Sequence, residues 1–167
     1  MTVHSRVAGR VALTMILLAL VSVGSASAQE IGFFGWGPRV GISADPDQLF
    51  GGVHFELGDF AENVLFRPNV EVGFGDDETV LAVNAAVHWL IPRRLQRWRP
   101  YVGGEVGLNH REIDRGGRFK DIDDTDIAIN VVGGFETERG GGSRMLLEGK
   151  VGLAERPRIK LLVGWTF

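Results

Sequence analysis

The sequence predicts an all-β protein, an eight-stranded antiparallel up-and-down transmembrane β-barrel with a polar lumen. Three observations predict it. The chain of 167 residues repeats short segments in which apolar and polar residues alternate, the pattern of strands whose successive side chains point to opposite faces. Turn-forming stretches such as Ala44-Asp45-Pro46-Asp47, Gly75-Asp76-Asp77-Glu78 and Arg139-Gly140-Gly141-Gly142-Ser143 divide the segments, and parallel neighbours would need crossovers of a dozen or more residues. The apolar face of every segment lacks charge, whereas the opposite face carries nearly balanced acids and bases.

Residues 1–28 are expected to be a cleaved signal peptide. Arg6 and Arg10 precede an apolar run, Val11 to Val23, and small residues ending in Ala26-Ser27-Ala28 follow; this is the order of a secretory leader. The run is shorter than the roughly 20 residues of a membrane-spanning helix. Removing the leader takes Arg6 and Arg10 from 18 basic residues and leaves 16 against 21 acidic ones, a net charge of −5. That balance argues against nucleic acid as a partner. The absence of cysteine excludes disulfide scaffolds and thiolate metal sites.

Residues 29–36 are expected to form a short N-terminal segment and residues 37–167 the barrel. Short alternating runs at Arg39–Ser43 and Phe50–Leu57 open it. Val64–Phe74 puts Val64, Phe66, Pro68, Val70, Val72 and Phe74 on one face; Pro68 lacks an N–H and should weaken the ladder there. Val80–Ile91 sets Leu81, Val83, Ala85, Val87 and Trp89 against Ala82, Asn84, Ala86 and His88. Tyr101–Asn109 sets Val102, Val106 and Leu108 against Tyr101, Glu105 and Asn109, and Ile127–Glu136 sets Ile129, Val131 and Phe135 against Asn130 and Glu136. Arg144–Leu153 and the closing run Ile159–Phe167 follow the same rule.

Alternation alone does not say which face is outside. The polar face holds Glu56, Glu71, Glu105, Glu136 and Glu148 with Arg39, Arg67, Arg144, Lys150, Arg158 and Lys160, and also His54, His88, Asn69, Asn84 and Asn130. Near-neutrality is what a confined interior demands, because an unpaired buried charge costs several kcal/mol. These eleven charged residues are therefore expected to form a salt-bridge network that fills the lumen, and the apolar face to meet lipid. Many of the 24 glycines fall on the polar face, as suits a crowded interior. With the N-terminus on the periplasmic side, Trp36, Phe66, Trp89, Trp98, Phe135, Trp165 and Phe167 fall near one rim, the expected place for membrane-interface aromatics.

The final residues Leu161-Leu162-Val163-Gly164-Trp165-Thr166-Phe167 resemble the terminal strand signal of bacterial outer-membrane β-barrels. Arg99 to Leu108 and Asp126 to Gly134 are similar to the fifth and sixth strands of the small OmpA-like or OmpX-like outer-membrane barrel domain family. The resemblance implies an integral protein of the Gram-negative outer membrane, in contact with outer-membrane lipids and lipopolysaccharide, delivered through the barrel-assembly machinery by its C-terminal strand, and monomeric. It implies a structural or surface-interaction role with no cofactor. The alternatives are a narrow porin-like channel for ions or small solutes and a soluble periplasmic lipocalin-like ligand-binding barrel.

Catalysis is not expected. Serine chemistry needs a base and an orienting acid, and beyond the leader the chain has only Ser43 and Ser143, with His54, His88 and His110. The longest connection, His110 to Asp126, carries Arg111, Arg115, Arg118 and Lys120, suited to lipopolysaccharide phosphates. It also carries Asp121, Asp123, Asp124 and Asp126, ligand types for Ca²⁺ without EF-hand spacing. A solvated loop with no metal is the expectation. The basic turn Pro92–Arg99 faces the periplasm in this topology and suits phospholipid headgroups.

Overall fold

The computed structural model describes residues 31–75, 78–113, 122–154 and 158–167. The expected signal peptide lies outside the described residues. Strand β1 spans Ile31–Ala44 and β2 spans Gln48–Ala61. Strand β3 comes in two segments, Val64–Phe66 and Asn69–Gly75, interrupted at Arg67-Pro68, where proline has no N–H for the ladder. Strands β4 (Glu78–Leu90), β5 (Trp98–Ile113), β6 (Ile122–Glu138), β7 (Arg144–Ala154) and β8 (Ile159–Thr166) complete the set.

Each strand is antiparallel to its sequence neighbours, and β8 returns to pair with β1. The result is a closed eight-stranded barrel. Closure is written in the register: Val40 pairs with Gly51 of β2 on one side and Val163 of β8 on the other. A closed ladder leaves no strand edge to satisfy within the wall.

Two features depart from the alternation. Residues 31–36, expected ahead of the barrel, belong to β1, where the register shifts between Ile31 and Gly35. The adjacent Phe33 and Phe34 break the period there, and both are exposed. Strands β5 and β6 also run well past the expected ends at Asn109 and Ile127, to Ile113 and from Ile122. Much of the expected His110–Asp126 loop is therefore a continued hairpin, with Arg111 opposite Asp124 and His110 opposite Thr125.

The wall is inverted relative to a water-soluble protein. Outward positions such as Ile42, Val83, Val106, Ile129, Val151 and Leu161 are exposed, while Arg39, Glu71, Arg67 and Lys150 are buried. Two small apolar clusters also face the lumen, Leu65 with Leu90, Tyr101 and Val132, and Phe50 with Leu146 and Leu162.

Glycines make room for this interior. A Cβ at Gly134 would stand 2.6 Å from the Tyr101 ring and would run into the Leu147 carbonyl. Gly133, one residue earlier and outward, has only the Tyr101 carbonyl at 4.0 Å. The pair Gly103-Gly104 repeats this contrast, with the His88 ring 2.9 Å from the first position and only the Asn130 carbonyl, at 3.9 Å, near the second.

Candidate functional site in the barrel lumen

Glu71 on β3 is the hub of the upper lumen. It accepts hydrogen bonds from Arg39 Nη1 at 3.1 Å, Lys150 Nζ at 2.9 Å and Lys160 Nζ at 2.8 Å. Lys150 also donates to both oxygens of Glu105, at 2.9 and 2.7 Å. Asn69 and Asn130 complete Glu105, at 2.8 and 3.0 Å, and Asn84 donates to Asn69 at 2.8 Å. These groups come from β1, β3, β4, β5, β6, β7 and β8, so the network ties together strands that are not neighbours in the wall.

Arg39 leads downward, donating through Nη2 to Glu148 at 3.3 Å. Tyr101 donates its hydroxyl to the other oxygen of Glu148 at 2.8 Å. The His88 ring stacks on Tyr101 with centroids 4.9 Å apart, and the Arg67 guanidinium lies over the Tyr101 ring with its carbon 5.6 Å from the centroid. Arg67 then donates to Glu56 at 2.8 Å and to Glu136 at 3.0 Å. Arg144 and Thr166 also donate to Glu56, and His54 shares a 2.8 Å hydrogen bond with Thr166.

Among the described residues the lumen thus holds five carboxylates, Glu56, Glu71, Glu105, Glu136 and Glu148, and five cations, Arg39, Arg67, Arg144, Lys150 and Lys160. The formal sum is zero. Arg158 does not join them: its side chain is 73% exposed and reaches Asp45 at 3.2 Å. It precedes the first residue of β8, so the alternation that would have turned it inward does not extend to it. Its removal is what makes the lumen neutral.

The aromatics lie where the strands of the N- and C-terminal end meet the rim. Trp36, Trp89, Phe135 and Phe167 are exposed, while Phe66, Trp98 and Trp165 are half-buried. Phe66 packs on Phe60 with centroids 5.0 Å apart. Sequence reasoning missed Phe33 and Phe34 here, and missed Tyr101 and Thr166 as members of the lumen network. Tyr101 is the chain's only tyrosine and sits on the polar face, which was the available signal.

Ser43 donates to the carbonyl of Pro46 at 3.0 Å and Ser143 to that of Gly140 at 3.2 Å; neither meets a histidine in these bonds. Of the acidic group considered for a cation, Asp121 and the side chain of Asp123 lie outside the described residues, as do Arg115, Arg118 and Lys120. Asp124 accepts the Thr125 N–H at 2.9 Å, and Arg111 pairs with Glu78 at 2.6 Å. Among the described residues no three His, Cys, Asp or Glu side chains gather as a metal site.

No family model matches the chain, and no curated protein matches it. Among solved structures, Neisserial surface protein A aligns at 12% identity, covering 80% of this chain and 94% of that one, with a TM-score of 0.62. The N-terminal β-barrel domain of Pseudomonas aeruginosa OprF aligns at 19% identity over 83% of this chain and all of that one, with a TM-score of 0.50. Both are eight-stranded outer-membrane barrels. The fold is theirs. At these identities the likeness concerns the backbone and says nothing of shared ligands.

Proposed function

We propose that the protein is an integral outer-membrane β-barrel of structural or surface-interaction type, closed to solutes and without a catalytic centre. The observation that carries this reading is the neutral ion-pair network: five carboxylates and five cations, most of them fully buried, occupy the cross-section of an eight-stranded barrel. A barrel of eight strands is just wide enough for side chains to fill. The apolar outer wall supports insertion in a bilayer, since a contiguous surface of this kind is not left facing water. The expected leader supports export, and the C-terminal strand Ile159–Thr166 supports delivery by the barrel-assembly machinery. In this reading the barrel is a monomer among phospholipid and lipopolysaccharide.

The test has two stages. The chain should fractionate with outer membranes and migrate faster on a gel unheated than boiled; recovery in the soluble periplasmic fraction would overturn the reading. Reconstituted in a planar bilayer, it should give no stable conductance. A reproducible open state abolished by Glu105→Gln or Lys150→Met would establish a narrow channel instead.

A further inference from the structure

The described cations outside the lumen are concentrated at the rim that bears Phe34, Phe167 and the tryptophans. Arg93, Arg94, Arg97, Arg99 and Arg139 lie there, against Asp59, Glu62 and Glu138. At the opposite end the described groups are Arg111 and Arg158 against Asp45, Asp47, Glu78, Glu112, Asp124 and Asp126. Among the described groups, one rim has surplus positive charge and the other surplus negative charge.

The surplus gathers on the β4–β5 turn. Leu95 and Trp98 close it with reciprocal backbone hydrogen bonds of 2.8 and 3.0 Å, and Gln96 at φ 57° completes the tight bend. The bend places Arg97 at its tip and Arg93 and Arg94 just ahead of it. Arg94 pairs with Glu138 at 3.0 Å. Arg93 and Arg97 are exposed and have no ion-pair partner among the described residues. Between them Leu95 is 55% exposed, and Trp98 follows on the outward face. Guanidinium groups at headgroup height, with an apolar side chain and an indole beside them, match a phosphate head above an acyl chain.

We infer that the Arg93–Trp98 turn is a binding site for an anionic phospholipid of the periplasmic leaflet, with Arg93 and Arg97 on the phosphate and Leu95 and Trp98 in the acyl region. The inference rests on the proposed membrane placement. Zwitterionic lipid is disfavoured because the two guanidiniums are unmatched by acids on the turn, and a headgroup with its own ammonium would leave that surplus unneutralised.

The full chain refolded into phosphatidylcholine vesicles with and without phosphatidylglycerol provides the test. Trp98 is made the sole indole by Trp36→Phe, Trp89→Phe and Trp165→Phe, and is quenched with brominated phosphatidylglycerol or brominated phosphatidylcholine. Quenching by the brominated phosphatidylglycerol should saturate at lower mole fraction. Arg93→Gln/Arg97→Gln should weaken that preference ~25-fold at low salt, a factor of about five per arginine. Glu138→Gln, which frees Arg94, should strengthen it about fivefold by the same reasoning. The gain separates lipid binding from a merely structural turn. Equal quenching by both lipids, or a double variant that keeps the preference, overturns the inference. Heat-modifiable migration in the same samples separates the two failures: an inserted barrel without preference sinks only the lipid site, whereas a chain that never inserts sinks the membrane reading too.

Discussion

Replacing Glu71 by glutamine removes one negative charge and keeps the shape. Three cations then lose their shared counter-charge: Arg39 at 3.1 Å, Lys150 at 2.9 Å and Lys160 at 2.8 Å. At about 3 Å and an effective dielectric constant near 20, each contact carries roughly 5 kcal/mol of attraction. Most of that offsets the desolvation of the charges, so the gross sum is not the cost. Removing one partner of a buried pair leaves an uncompensated charge, and such changes cost about 3–5 kcal/mol. Glu71→Gln should lower the urea-unfolding free energy in detergent micelles by that amount. The companion Lys160→Met, at the hub cation with the most solvent contact, restores neutrality, because Lys150 keeps Glu105 and Arg39 keeps Glu148. The double variant should recover at least half the loss. A single-variant effect below about 1 kcal/mol, or a double variant no better than the single, would refute neutrality as the organising requirement of the lumen.

Adjacent glycines should respond with opposite signs: Gly134→Ala should destabilise by about 1–3 kcal/mol because its Cβ meets Tyr101 and Leu147, whereas Gly133→Ala should stabilise by roughly 0.5–1 kcal/mol, both read from urea midpoints. Tyr101→Phe removes a hydroxyl donated to Glu148 at 2.8 Å and should cost about 1.5–3 kcal/mol, the worth of a hydrogen bond to a charged group. Arg158→Gln should change stability by less than about 1 kcal/mol, since its pair with Asp45 is solvent-exposed; Arg67→Met, which strands Glu136 and leaves Glu56 to Arg144 and Thr166, should cost about 3–5 kcal/mol. An Arg158→Gln cost equal to that of Arg67→Met would place Arg158 back in the lumen.

What could be read from the sequence divides at the edge of the apolar wall. Within it, Val80 to Leu90 and Tyr101 to Asn109 alternate without a break, and the structure turns Asn84, His88 and Glu105 inward as the pattern requires. Lipid outside and a confined polar interior inside demand opposite chemistry at each step, so period two is strongly imprinted there. Beyond the wall neither face must be apolar, and Arg111, Glu112, Asp123 and Asp124 continue the β5–β6 hairpin without any alternation to announce it. Arg158 fails for the converse reason: a pattern extrapolated past the strand's first residue has no backbone to obey it. Membership of the polar face was legible from one strand at a time. Partnership was not, because Glu71 meets Lys150 across 79 residues and Arg39 meets Glu148 across 109.

Those long-range partnerships also explain why the interior is ionic when an apolar filling of equal volume is often as stable. If both faces of the wall were apolar, a one-residue slip of a strand would exchange lipid-facing and lumen-facing side chains at little cost, since the side-chain period is two. With the network in place, slipping β7 by one residue would move Glu148 and Lys150 into lipid and bring Leu147 and Val151 against Arg39, Glu71 and Glu105. Lysine at mid-bilayer costs about 2–4 kcal/mol, and the stranded partners add about 3–5 kcal/mol for each broken pair. The total, on the order of 10 kcal/mol, rivals the whole stability of a typical domain. An apolar variant carrying Arg39→Met, Glu71→Leu, Glu105→Leu, Glu148→Leu, Lys150→Met and Lys160→Met, which removes three charges of each sign, should therefore remain folded and heat-modifiable yet lose its single register between β7 and β8. Cysteines at the paired positions Leu147 and Val163 should cross-link fully in the parent barrel and only in part in that variant. Complete cross-linking in both would show that the turns and closure set the register, and that the ionic interior serves some other end.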